Sequence, residues 1–123
     1  MASILIIDDE PAVLGVLRQV LERAGHVVTE AGDGHSALNE YLDQPADLVI
    51  TDIIMPGMDG IEFLVQVKET FPDARILAMS GGGLLSSERV LKDASFLGAD
   101  DILHKPFSTA QILSAVERAL GTD

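Results

Sequence analysis

Five short runs of aliphatic, often β-branched residues alternate along the chain with stretches whose apolar positions recur at helical spacing. The runs are residues 3–7 (SILII), 26–30 (HVVTE), 47–51 (DLVIT), 75–79 (RILAM) and 100–103 (DDIL), each of a length and character that predicts a strand. Between the first two, Val13, Val16, Leu17, Val20, Leu21 and Ala24 predict one buried helical face, opened by Pro11 and stopped by Gly25. Residues 34–43 predict a second helix burying Ala37, Leu38, Tyr41 and Leu42 before Pro45. A third is expected to open with Asp59 as cap and Glu62 three residues later, with Ile61, Leu64, Val67 and Phe71 inward. After the loop-like GGGLL (81–85), residues 86–96 predict a short helix through Val90, Leu91 and Ala94. The last helix opens at Ser108, pairs it with Gln111, and carries Ile112, Leu113, Val116, Ala119 and Leu120 to Gly121.

Strand and helix repeated in this way imply an α/β fold, a doubly wound parallel sheet with helices on both faces. The central runs are continuously apolar, as strands buried on both faces must be. A chain of 123 residues is expected to form one domain over 1–123, with no output domain attached. Mean hydropathy is +0.29, yet no apolar stretch is long enough to span a membrane. There is no cysteine and no leader pattern, so a cytoplasmic location is expected. A net charge of −12 with scattered basic residues argues against direct nucleic-acid binding.

Ligands of an open parallel sheet bind beyond the carboxyl ends of its strands. The first run is followed there by Asp8 and Asp9, the third by Asp52, the fourth by Ser80 and the fifth by Lys105. Carboxylates about 4 Å apart repel by roughly 1 to 4 kcal/mol, so such a cluster takes up a proton or a cation. Oxygen ligands alone, with room for water, suit Mg²⁺. An ion held open beside a lysine and a hydroxyl suits a phosphoryl group, with Asp52 as its nucleophilic acceptor.

IDDE, TDIIMPGMDG, the serine after the fourth run, GADD and KPF, in that order, resemble the receiver domain of two-component response regulators over nearly the whole chain. The resemblance implies a flavodoxin-like (βα)5 sheet of order 2-1-3-4-5. It makes Asp52 the phospho-acceptor, and Asp9, Asp52 and the backbone carbonyl of Ile54 the Mg²⁺ ligands. Asp8 would shape the acidic pocket and reach the ion mainly through water. Lys105 would pair with the phosphoryl group, Ser80 would be the hydroxyl that moves toward it, and Gly57 and Gly60 would serve the intervening turn. Implied partners are a sensor histidine kinase or histidine phosphotransfer protein and a downstream protein effector, met around the helix over 86–96 and the fifth strand. Such a module catalyses only its own phosphorylation and dephosphorylation and is not otherwise an enzyme.

The chain departs from the pattern at Ile102, where the family usually carries the aromatic of its switch. An aliphatic cannot swing a ring inward, and the glycines after Ser80 suggest that loop ordering carries the signal instead. Among other residues, Glu10 is expected to cap the first helix, His26 and His35 to lie on the surface, His104 to point away from the pocket, and Asp100 and Asp101 to begin the fifth strand. Three competing classes are an aspartyl phosphohydrolase, a phosphorylation-independent interaction domain and a flavin-binding relative. The first wants a second acid two residues after the nucleophile, where Ile54 stands. The second is disfavoured by the intact pocket, and the third by acids where phosphate-binding donors would be needed.

Overall fold

The computed structural model describes residues 2–52, 60–80, 100–104 and 107–121. Its strands are β1 (Ser3–Ile7), β2 (Val27–Ala31), β3 (Leu48–Asp52), β4 (Ile76–Ser80) and β5 (Asp101–His104). All pair in parallel, in the order β2-β1-β3-β4-β5. The described helices are α1 (Pro11–Arg23), α2 (Gly34–Asp43), α3 (Gly60–Thr70) and α4 (Thr109–Leu120). The expected helix over 86–96, the glycine loop before it and the cap at Asp59 lie outside the described residues.

Side-chain alternation along each strand sorts the core into two layers. Ile4 and Ile6 of β1, Leu48 and Ile50 of β3, and Leu77 and Met79 of β4 pack with α1 and α4. The alternate residues Leu5, Ile7, Val49 and Ile76 pack with α2 and α3. Both faces of the sheet are covered, which is why β3 is buried at all five positions. Each fully buried Leu, Ile or Phe contributes about 1.5–3 kcal/mol, so these layers hold the strand ends in place.

The helix faces differ in detail from the expectation. In α1, Leu14, Leu17 and Leu21 are buried, while Val16 is 48% exposed. Leu17 and Leu21 of the expected face are buried and Val13 and Val20 pack partly buried against the core, so the face is shifted toward Leu14 and away from Val16. Leu42 is likewise exposed, and Phe63, absent from the expected face of α3, is fully buried. Phe71, just past α3, meets Tyr41 edge to face at 5.2 Å.

β2 to β5 each begin one residue later than the pattern predicts. The residue left outside is polar and ties the amino edge of the sheet to a neighbour. His26 Nδ1 accepts from the Ala2 N–H at 3.1 Å, and Asp47 Oδ2 from the Ser3 N–H at 2.8 Å. Arg75 donates to the Leu120 carbonyl at the end of α4. Asp100 donates its N–H to the Ile76 carbonyl at 2.7 Å and accepts the Ile76 N–H on its carboxylate at 2.7 Å.

Candidate functional site

The carboxyl ends of β1 and β3 bring the first two acids together by register alone. Ile7 lies opposite Thr51, so Asp8 and Asp52 are the next pair along two parallel strands. Both continue the alternation of Ile4, Ile6 and of Leu48, Ile50 and so fall on one face of the sheet. The Asp8 N–H still donates to the Ala31 carbonyl of β2 at 3.2 Å. Asp8 is fully buried and Asp52 only 6% exposed. The neighbouring Thr51 hydroxyl is also buried and donates to the Asp52 carbonyl at 2.9 Å.

After Asp8 the chain turns outward into α1. Asp8 Oδ1 accepts the Glu10 N–H at 2.9 Å, and the Glu10 carbonyl accepts from Val13 and Leu14 at 3.1 and 3.2 Å. Glu10 thus occupies the N-cap position by its backbone, in an extended conformation, but its side chain makes no capping hydrogen bond. The expected cap is made by the Glu10 backbone and not by its side chain. Its carboxylate instead joins those of Asp8, Asp9 and Asp52, each offering an oxygen within 4.8 Å of the others.

This arrangement answers to a small hard cation. Octahedral Mg²⁺ holds oxygens at about 2.0–2.1 Å, so ligands across the ion stand roughly 4 Å apart. The four oxygens span 4.8 Å at most, and none of the donors is nitrogen or sulfur. Asp9 and Glu10 are exposed, which leaves a solvent side for coordinated water. Asp8, Asp9 and Asp52 therefore fit the ion implied for them.

Ser80 is the last residue of β4, in register with His104 at the end of β5. Because Asp52 pairs with Met79, the Ser80 backbone stands one step beyond Asp52 at the same edge. Lys105, the residue after β5, and Ile54 with its carbonyl lie outside the described residues, as do Gly57 and the loop after Ser80. Ile102 is half-buried in β5 and lines a groove of about 440 Å³ with His104, Gln111, Ser114 and Arg118. His104 is exposed, in line with its expected place away from the pocket. His35 is exposed, whereas His26 is half-buried at the amino edge. Asp101 does begin β5, and its carboxylate pairs with Arg118 of α4 at 2.9 Å.

The member of the acidic edge that sequence reasoning missed is Glu10. A signal was present: Ser, Thr, Asp and Asn cap helices well, whereas glutamate is not among the favoured residues.

The sheet order and its acidic carboxyl edge define the class that the comparisons then identify. Residues 4–117 match the model of the response regulator receiver domain, and the chain belongs to that family. It is 36% identical over 118 residues to the chemotaxis protein CheY of Bacillus subtilis, covering 95% of this chain and 96% of that one. It is 37% identical over 122 residues to the DNA-binding transcriptional regulator NtrC of Azospirillum brasilense, covering 99% of this chain but only 25% of that longer protein. A chain of the CheX–CheY–BeF3–Mg²⁺ complex from Borrelia burgdorferi superposes with a TM-score of 0.86 at 32% identity, covering 94% of this chain and 87% of that one. The flavodoxin-like receiver fold and membership in two-component signalling follow. Among the described residues no helix is long and apolar enough to cross a membrane.

Proposed function

We propose that this receiver domain accepts a phosphoryl group on Asp52 in a magnesium-dependent reaction and signals through the resulting change of its partner surface. The observation that carries the reading is the pairing of Asp8 and Asp52 at the carboxyl edge, with oxygens of Asp8, Asp9, Glu10 and Asp52 within 4.8 Å. Burial of Asp52 at the end of a strand buried at all five positions fixes its carboxylate for in-line attack and limits hydrolysis by bulk water. The group arrives from a phosphohistidine of a sensor kinase or phosphotransfer protein. The phosphorus–nitrogen bond breaks, an Asp52 oxygen forms the new bond to phosphorus, and the imidazole leaves with its electron pair.

Asp9, Asp52 and the carbonyl of Ile54 would hold the magnesium ion, with Asp8 reaching it through water. When bound, the ion offsets the charge of the acids and of the phosphoryl oxygens. Lys105 pairs with one phosphoryl oxygen and the Ser80 hydroxyl donates to another. The phosphorylated form meets a protein effector, and the related Borrelia complex joins CheY to CheX together with beryllofluoride and Mg²⁺. The module works in the cytoplasm, turns over no diffusible substrate, and binds no nucleic acid itself.

Beryllofluoride tests the reading without a kinase. With Mg²⁺ and beryllofluoride, amide resonances at Asp8, Asp9, Asp52 and Ser80 are expected to shift in the wild type and to stay in place in Asp52→Asn. Identical shifts in both proteins would contradict it.

A further inference from the structure

We infer that Glu10 forms the solvent-side wall of the cation site, holding water coordinated to the ion rather than the helix that follows. The inference rests on the reading of Asp8, Asp9 and Asp52 as a magnesium site, and it adds a residue which that reading leaves to the helix. Three observations carry it. First, a Glu10 oxygen lies within 4.8 Å of an oxygen on each of the other three acids.

Second, α1 asks little of a capping side chain. Of the first four amides, Pro11 has no N–H, that of Glu10 donates to Asp8 Oδ1 and that of Val13 already donates to the Glu10 carbonyl. Glu10 makes no side-chain cap, although it stands where one would be made.

Third, Glu10 is held by the site itself. Its N–H donates to Oδ1 of the fully buried Asp8 at 2.9 Å, so the innermost acid fixes the backbone of the outermost one. Glu10 is exposed, and its side chain is one methylene longer than that of Asp9 beside it. From that place it faces the open side of the site, where Mg²⁺ keeps several waters. Groups that orient coordinated water this way tune metal affinity although they never touch the ion.

The test is calorimetric titration of Mg²⁺ into the unphosphorylated, metal-free protein, comparing wild type, Glu10→Gln and Asp73→Asn. Asp73 is an exposed acid between α3 and β4, outside the acidic cluster, so its substitution changes net charge equally without touching the site. Glu10→Gln is expected to weaken Mg²⁺ binding on the order of tenfold, with Asp73→Asn within about twofold of wild type. Equal binding by all three proteins, or equal weakening in both variants, would overturn the inference. A wild type that binds no Mg²⁺ would overturn the underlying metal reading as well, which separates the two failures.

Discussion

Burying carboxylates side by side costs free energy unless hydrogen bonds or a counter-charge offset it, and Asp8 and Asp52 are both almost wholly out of solvent. Their convergence on one edge was legible from the strand pattern, whereas the adjacency of the first and third strands was implied by the family resemblance. The side chain of Glu10 was not legible, because a residue before Pro11 reads first as a helix cap, although glutamate is not among the favoured capping residues. A true cap shows the contrast: Asp33 precedes α2, and its carboxylate accepts the Ser36 N–H at 2.8 Å. That backbone hydrogen bond, chiefly, holds the Asp33 carboxyl below the usual carboxylate range. The unfolded chain then takes up this proton more readily than the folded one. The stabilisation is accordingly complete above the ordinary aspartate pKa and is lost as pH falls through the lowered folded value. A carbon-detected NMR titration is expected to give Asp33 a midpoint below that of an unstructured aspartate. A midpoint at or above the ordinary value would contradict the cap.

Strand identity was legible because β-branched runs are short and bounded, but their ends were not. A polar residue next to an apolar run reads as its first member. In the folded chain His26, Asp47, Arg75 and Asp100 instead close the amino edge with bonds to groups far away in sequence. Local pattern carries no trace of such partners. The one-residue shift also makes Asp52 and Ser80 the final residues of their strands, tying them to the sheet more firmly than a loop would. Most of each helix face was legible as well, and the misses at Val16 and Leu14 fall where one period fits both and only packing separates them. Where capping chemistry is local, the reading held: Ser108 accepts the Gln111 N–H at 3.1 Å, and Gln111 Oε1 accepts the Ser108 N–H at 2.8 Å. Ser108→Ala is expected to lower stability by about 1 kcal/mol in urea denaturation, with the slope unchanged. A change near zero would show that α4 is held by packing alone.

Across the molecule, two helix layers packed on opposite faces of one sheet leave the carboxyl edge as the place where polar side chains can converge. Acids from the ends of β1 and β3, separated by more than forty positions, meet there because the strands are adjacent and in register. The family follows from motifs spread over nearly the whole chain, whereas the expected helix over 86–96 lies outside the described residues. Phosphoryl acceptance by Asp52 is the claim on which the account turns. The most direct test is incubation with Mg²⁺ and acetyl phosphate followed by intact-mass measurement of wild type and Asp52→Asn. A single phosphoryl adduct on the wild type, lost when Mg²⁺ is chelated and missing from Asp52→Asn, is the predicted result. Equal labelling of both proteins, or of neither, would contradict it.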